Sequence, residues 1–440
     1  MDQKKQQLNL KALVAISSGG AVSSVITTVM LATAQTGRSA WIAYSVSILI
    51  GGILRILPVI WFASMFRYKG GNYALVTSTL GEQMGGIYAL WWLPMFLSRG
   101  MGASAMGEYL KSVFPSVNAN LAGIIFTTIA FVINLFGISA MVKVQKKLTL
   151  AAGAALLVYV IFGFTKLDAG AFSIGSPSYF LGGGAGLLMA TVLVIQGASG
   201  PSLVSGFSWE SENPRTNIPR AIFLSNLIML IVCGLVSFTA ANIAGGEELY
   251  GKALTFSAGK VLPGILFPLF MLIGPFMTLF ISMNSGMPSM AAPVVAAIGN
   301  GWLPEKIGKT NRYGVPWIIY TVMWLICIIP LMLGVSLRSF TAYTVIAQRT
   351  SGMLLLISAF RYPKVYREEW KASRFHMSNY LYYPLLVLIA CVELFTLYMS
   401  VRSIGISAFI GNLIVVALLA LYAIMRYKGK KTNVRILVER

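Results

Sequence analysis

Charged residues are scarce in this sequence of 440 residues. Only 11% of the residues are charged and 57% are hydrophobic, whereas an ordinary soluble domain carries roughly 25% charged residues. A water-soluble fold of this length could not cover so much apolar surface. The composition therefore excludes a conventional soluble enzyme or binding module and predicts a protein embedded in a lipid bilayer.

Histidine and cysteine are also nearly absent. The single histidine, His376, lies in a basic loop, which excludes a histidine-based metal cluster and a Ser-His-Asp arrangement. The three cysteines, Cys233, Cys327 and Cys391, lie within apolar runs, where cysteine behaves as a small buried hydrophobe. Converging acid, base and nucleophile groups are missing as well. We therefore expect no metal, no cofactor and no enzymatic activity.

Acidic residues are outnumbered by basic ones, 13 against 34, which gives a formal net charge of +21. The basic residues fall in short segments between apolar runs and not in one patch with interleaved aromatics, so we expect no nucleic acid partner. Counted on alternate sides of the apolar runs, 24 basic residues lie on the side of the two termini and 7 on the other. This bias predicts that both termini are cytoplasmic.

Long apolar runs fill the rest of the chain. One span needs about 20 mostly apolar residues, and these runs lack the alternating pattern of barrel strands, so they are helices. We predict twelve spans: Leu13–Thr33, Ala40–Phe66, Gly85–Phe114, Leu121–Met141, Leu148–Phe164, Gly183–Phe207, Ala221–Ala244, Leu262–Ile298, Val315–Leu333, Phe340–Phe360, Tyr380–Val401 and Ile404–Met425.

The first and sixth predicted spans are interrupted by residues that weaken a helix. Ser17–Ser24 is a run of small and hydroxyl-bearing residues, and Gly197–Ser202 contains two glycines and Pro201. Both runs are candidates for unwound segments near the membrane midplane. Their equivalent places in two five-helix halves of opposite topology indicate a secondary transporter with inverted repeats. The alternative for each run is close helix packing through small residues.

The segment after the sixth predicted span carries the most specific motif. It reads WESENPRTNIPRAI over residues 209–222 and closely resembles the acidic loop that follows the sixth helix of amino acid-polyamine-organocation permeases. The segments 66–82 and 300–316 resemble further landmarks of that superfamily, in the same order. Within the first motif we expect Asn217 to cap the next helix and Pro219 to lie in its first turn.

The resemblance implies an all-α membrane protein with twelve transmembrane helices, a LeuT-like 5+5 inverted repeat and two additional C-terminal helices. The chain then divides into a cytoplasmic N-terminus (1–12), a first repeat (13–166), a second repeat (183–361), two final helices (378–425) and a cytoplasmic C-terminus (426–440). The implied activity is transport of an amino acid or amine across the plasma membrane of a bacterium, by alternating access. The sequence leaves the oligomeric state open.

The resemblance also implies where a substrate binds. In the superfamily, the break in the first helix holds the substrate carboxylate, and carbonyl groups at the break in the sixth helix take its ammonium group. The matching residues are Gly19, Gly20, Ser23, Ser24, Val25, Ile26, Gly197, Ala198, Ser199 and Gly200. Gly19 and Gly20 are an alternative centre for the carboxylate site. On the eighth span, Asn284 is a further ligand candidate whose alternative role is an interhelical hydrogen bond.

Five ionisable residues fall inside predicted spans, where an unpaired charge costs several kcal/mol. They are Arg55, Arg99, Glu108, Arg349 and Glu393. Arg99 lies midway along the third span and is a candidate to bind an acidic group of the substrate, or alternatively to form an ion pair with Glu108 or Glu393. Glu108 is a candidate proton carrier if it is buried. Its alternative place is the outer membrane interface.

Three questions about mechanism stay open at this point. Ala152 stands where some members of the superfamily carry a lysine that replaces a coupling sodium ion, so the resemblance favours exchange or facilitated uptake. An antiporter of polyamines or other cationic amines is an alternative, although the sixth span lacks the carboxylate that a diamine would need. A membrane sensor that no longer transports is the alternative from another functional class.

Overall fold

The computed structural model describes residues 7–176, 179–334 and 344–440. These residues are mostly helical. The α-helices are α1 (Leu10–Thr36), α2 (Ala40–Ser47), α3 (Leu57–Met65), α4 (Asn72–Leu80), α5 (Glu82–Met95), α6 (Ser98–Val113), α7 (Ala119–Leu135), α8 (Ile138–Phe164), α9 (Gly183–Ala198), α10 (Pro214–Asn242), α11 (Leu254–Val261), α12 (Leu266–Met271), α13 (Met277–Gly299), α14 (Trp317–Met332), α15 (Val345–Val365), α16 (Arg367–Ala372), α17 (Asn379–Ser403) and α18 (Ile406–Lys428). Two short strands are β1 (Arg67–Tyr68) and β2 (Val438–Glu439).

Seven helical stretches in the described ranges are long and apolar enough to cross a membrane, judged by length and composition. They are Ile26–Met65, Ile138–Phe164, Gly183–Phe207, Pro214–Asn242, Leu266–Gly299, Asn379–Arg402 and Ile406–Lys428. The last of these exposes large apolar side chains such as Ile414, Leu418 and Leu421. An apolar surface of this kind suits lipid and not water. The prediction of an all-α membrane protein is confirmed.

The first predicted span is one continuous helix, so the interruption expected between Ser17 and Ser24 is wrong for this conformation. The hydroxyl of Ser18 donates to the carbonyl of Val14 at 2.7 Å, which keeps the serine within the helical hydrogen-bonding pattern. A Cβ atom added at Gly19 would overlap Ile281 and meet Gln145 Nε2 at 2.9 Å. The small residue therefore serves close helix packing, the alternative considered for this run.

The third predicted span is divided by a turn. Helix α5 ends at Met95 and α6 begins at Ser98. Pro94 lies in the last turn of α5 and has no N–H to donate to the carbonyl four residues earlier, which weakens the helix at this point. The turn places Arg99 in the first turn of α6.

The boundary between the fourth and fifth spans also differs from the prediction. Helix α7 ends at Leu135, and α8 begins at Ile138 and not at Leu148. Gly137 joins them with φ of 90°, a conformation that favours glycine. The first turns of α8 therefore carry the lysines that were predicted to lie in a loop: Lys143, Lys146 and Lys147.

The motif after the sixth span forms a helix earlier than expected. Helix α10 begins at Pro214, because Asn213 adopts a left-handed conformation with φ of 44° and Pro214 fits the first turn. Asn217 therefore does not cap the helix, and its amide donates to the carbonyl of Glu212. Pro219 lies inside the helix and not in its first turn. The start of the tenth predicted span, at Phe340, lies outside the described residues.

The first and last segments that the structure describes lie on one face of the molecule, which we call the terminal face. The backbone N–H of Leu8 donates to the carbonyl of Glu210 at 2.7 Å. Strand β2 pairs antiparallel with β1, with Val438 opposite Tyr68. The segment before β2 also contacts Asn300, whose side-chain oxygen accepts from the backbone N–H of Arg435 at 2.9 Å.

A buried ion pair links the second and eleventh predicted spans. The Nε and Nη2 atoms of Arg55 donate to the two carboxylate oxygens of Glu393 at 2.7 and 2.9 Å. The two side chains are 8% and 5% exposed. Arg349 is buried on α15, and Gly352 on the same helix faces Glu393, where an added Cβ would lie 3.5 Å from its carboxylate. These contacts order helices that lie far apart in sequence.

We predict that Glu393→Gln lowers the free energy of unfolding by about 3 to 5 kcal/mol, because it leaves the Arg55 guanidinium buried without its carboxylate. The double variant Arg55→Met with Glu393→Met should be more stable than Glu393→Gln. Thermal unfolding of the detergent-purified protein measures both, with the exposed Glu368→Gln as a control within about 0.5 kcal/mol of the parent. A double variant no more stable than Glu393→Gln would contradict this account.

Candidate functional site

The sixth predicted span is interrupted where the sequence indicates. Helix α9 ends at Ala198, and a 3₁₀ helix runs over Gly200–Phe207. Pro201 stands in the first turn of the 3₁₀ helix, where its missing N–H is tolerated, but it cannot continue the α-helical ladder. The predicted interruption of this span is confirmed.

A π-helical turn of the neighbouring span, Ile48–Ile53, packs against this break. The hydroxyl of Ser199 donates to the carbonyl of Gly51 at 3.2 Å. The amide of Asn226 on α10 donates to the carbonyl of Gly52 at 2.7 Å. A Cβ at Gly51 would lie 2.6 Å from the Ile195 carbonyl, and one at Gly52 would overlap Asn226. Only glycine fits this contact.

Sequence reasoning missed this glycine pair. π-Helical turns inside α-helices occur frequently at functional sites. The only signal in the sequence is the pair Gly51–Gly52 in the middle of an apolar run, three and four residues before Arg55. The hydrogen bonds from Ser199 and Asn226 could not be read from it.

Helix α1 meets the 3₁₀ helix directly. The buried hydroxyl of Ser17 donates to the carbonyl of Pro201 at 3.2 Å. The two runs of small residues, Ser17–Ser24 and Gly197–Ser202, therefore contact each other, although only the second interrupts its helix. We call this contact, with the π-helical turn behind it, the junction.

A chain of amide side chains runs from α1 to three other helices. The Ala15 carbonyl accepts from Gln145 Nε2 at 3.3 Å and from Thr149 Oγ1 at 3.4 Å. Gln145 Oε1 accepts from Asn284 Nδ2 at 3.1 Å, and Asn284 Oδ1 accepts from Asn134 Nδ2 at 3.1 Å. Asn284 is fully buried and makes the interhelical hydrogen bonds that were the alternative to a ligand role.

Arg99 lies against α13 and has only neutral hydrogen-bond acceptors in the described ranges. Its Nη1 donates to the carbonyl and the hydroxyl of Ser282, both at 3.2 Å, and its Nε contacts Met290 Sδ at 2.9 Å. Within the same ranges, neither of the expected ion pairs forms. Glu393 pairs with Arg55, and Glu108 is exposed on α6. The ion-pair alternative is therefore wrong for the residues described.

The remaining predicted residues are placed as follows. The exposed position of Glu108 fits the outer-interface alternative and lacks the burial that a proton carrier requires. The carbonyl of Ile26 accepts from the Tyr109 hydroxyl at 2.6 Å, and Ser23 is half-buried on α1. The structure does not describe the side-chain surroundings of three further predicted residues of α1: Gly20, Ser24 and Val25.

A large cavity opens at the terminal face. Its volume is about 1730 Å³. It is lined by the turn Pro288–Ala292 of α13, by Gly206 at the end of the 3₁₀ helix, and by the C-terminal segment 435–437. The cavity therefore leads from the terminal face toward the helices that form the junction.

The opposite face is tied together by Arg38, which lies in the turn between α1 and α2. Its guanidinium donates to Asp168 at 2.7 Å and to Glu247 at 3.3 Å, so it joins three loops. The Arg38 guanidinium, with help from the Gly170 N–H, lowers the pKa of Asp168 below its usual value. We call these two ion pairs the clasp.

Several known proteins are similar to this chain in sequence. A family model described as amino acid permease matches residues 8–434. A lysine-specific permease of Lactococcus lactis is 23% identical over 376 residues, which cover 78% of this chain and 72% of the relative. An amino-acid permease of Bacillus subtilis is 21% identical over 339 residues, covering 72% and 70%. A probable threonine/serine transporter of the same species is 24% identical over 296 residues, covering 64% and 63%.

We predict that Gly19→Ala destabilises the protein by about 1 to 3 kcal/mol, because its Cβ would press on Ile281 and displace Gln145. The matched control is Gly153→Ala on α8, where an added Cβ meets nothing within 4 Å. Its stability should equal or slightly exceed that of the parent. Thermal unfolding in detergent makes the comparison, and equal stability of the two variants would refute the close packing at Gly19.

Proposed function

The chain belongs to the amino acid permease family, and on that premise we propose that it moves its substrate by alternating access around the junction. It is a multi-pass membrane protein of a family that transports amino acids and does not catalyse reactions. The observation that carries the proposal is the hydrogen bond from Ser17 to the Pro201 carbonyl. This bond brings a break in one span against the small residues of another.

The ammonium group of the substrate binds at the end of α9. The last carbonyls of a helix lack intrahelical partners and carry partial negative charge. At Ala198, α9 gives way to the 3₁₀ helix, and the Ala198 carbonyl lies 3.1 Å from a Cβ placed at Gly52 of the junction. Gly197, Ala198, Ser199 and Gly200 form this half of the site.

The carboxylate of the substrate binds to α1 near Gly19 and Gly20. In an α-helix the Ala15 carbonyl would accept from the N–H of Gly19, but it also accepts from Gln145 and Thr149. Opening the helix at this point therefore leaves the Ala15 carbonyl bonded and frees the Gly19 N–H for an anion. Binding of the carboxylate is proposed to unwind the continuous α1 locally at this point.

We propose that this conformation is the one open to the cytoplasm. The large cavity opens on the terminal face, and the distribution of basic residues favours a cytoplasmic position for that face. The clasp of Arg38, Asp168 and Glu247 holds the opposite face closed. Transport requires that the clasp opens and the cavity closes in turn.

The relatives do not define the substrate. Their names specify lysine in one case and threonine or serine in another, so the chemical class has to come from this chain's own residues.

We predict that the purified protein in liposomes takes up at least one labelled amino acid and that Gly200→Trp abolishes this uptake, because the large side chain fills the junction. The control is Gly411→Trp on α18, where an added Cβ meets nothing within 4 Å. Preloaded and empty vesicles, with and without a pH gradient, separate exchange from proton-coupled uptake. If both variants insert correctly and Gly200→Trp still takes up the amino acid, the assignment of the substrate site to the junction is wrong.

A further inference from the structure

We infer that Arg99 selects a substrate with a second negative charge, an amino acid whose side chain carries a carboxylate. The inference rests on the proposed function, since it names the substrate class of the same site. It depends on the partners of Arg99, on the space that α13 leaves for it, and on its position relative to the junction.

The positive charge of Arg99 is uncompensated in the described part of the chain. The guanidinium contacts Ser282 and Met290, which are neutral. By contrast, the guanidinium of Arg55 has the carboxylate of Glu393. A lone charge within a span is costly, and such residues typically mark a substrate or ion pathway.

Helix α13 is shaped to receive the guanidinium. Gly286 lies opposite it, and a Cβ added there would stand 2.5 Å from Arg99 Cζ and 2.6 Å from Nη1. Ser282, Gly286 and Met290 are spaced four residues apart and form one stripe of α13. Glycine at the centre of this stripe gives the planar group room that any other residue would remove.

The stripe formed by Ser282, Gly286 and Met290 lies beside the stripe of α13 that faces the junction. Ile281 contacts Gly19 of α1, and the backbone of Ser289 lies 3.2 Å from a Cβ placed at Gly206 of the 3₁₀ helix. Ile281 directly precedes Ser282, and Ser289 directly precedes Met290; Ser282 and Met290 are the partners of Arg99. Successive residues of a helix point in directions about 100° apart. A substrate with its backbone at the junction therefore directs its side chain toward Arg99.

The charge of Arg99 fits one class of side chain. A carboxylate would form charge-assisted hydrogen bonds with the guanidinium, the strongest kind available to it. An ammonium side chain would be repelled at the same position. The arrangement favours acidic amino acids over neutral ones and disfavours polyamines and other cationic amines.

The test uses the full-length protein in liposomes with labelled aspartate, glutamate, glutamine, serine and lysine. We expect the parent to prefer an acidic amino acid. Arg99→Gln should lower the uptake of that amino acid about tenfold or more, which corresponds to a loss of at least about 1.4 kcal/mol in free energy. Uptake of glutamine by Arg99→Gln should persist. The matched control is Arg402→Gln, at an exposed arginine whose guanidinium donates to the Tyr398 hydroxyl, with uptake like that of the parent.

A second variant keeps the charge and moves it. Gly286→Ala should shift the guanidinium and weaken the preference for acidic substrates several-fold, whereas Gly299→Ala on the same helix, with open space around the added Cβ, should leave it intact. If Arg99→Gln does not fold, the comparison of Gly286→Ala with Gly299→Ala tests the role of Arg99 instead.

The outcomes separate the inference from the function it rests on. Neutral amino acids entering while aspartate and glutamate neither enter nor compete would overturn the role of Arg99 and leave transport standing. Stabilisation of the detergent-purified parent by acidic amino acids, absent in Arg99→Gln, would support the role of Arg99 even without uptake, and the lack of uptake would overturn transport. No uptake and no stabilisation by any amino acid would overturn both.

Discussion

The hydrocarbon interior of a membrane offers backbone groups no water, so every N–H and carbonyl there needs a partner from the protein. The structure around the junction follows from this constraint. Where α9 ends, the neighbouring span supplies a π-helical turn whose carbonyls accept from Ser199 and Asn226, and α1 supplies the hydroxyl of Ser17. A break that would be prohibitive in lipid becomes tolerable because three helices enclose it.

The same reasoning distinguishes the buried charges. Arg55 and Glu393 neutralise each other and fasten two distant spans, which is a structural use of charge. Arg99 has neutral partners only in the described ranges, Ser282 and Met290 of α13, and from this unbalanced charge we infer a role in binding a charged substrate. The clasp on the opposite face is a third case, where solvent-accessible ion pairs can part at modest cost.

A structural feature could be predicted from the sequence when its cause lies in neighbouring residues, and not when it depends on contacts with distant parts of the chain. The break after Ala198 was predictable, because glycine and proline act on their own turn of helix. The continuity of α1 was not, because contacts from α8 and α13 decide whether a run of serine and glycine unwinds. The pair Arg55–Glu393 joins residues 338 positions apart, and no local pattern reveals such a partner. Gly51 and Gly52 were missed for the same reason, since their role is defined by Asn226 and Ser199.

The pairing of β2 with β1 has a consequence for the order of assembly. Strand β2 follows α18 in the chain, whereas β1 comes directly after α3, so the ribosome makes the partners at opposite stages of synthesis. The terminal face, including the rim of its cavity, therefore cannot be completed until the intervening helices have been inserted into the bilayer. A nascent chain that stalls before β2 would expose an unpaired strand edge, which is a feature that cellular quality control can recognise.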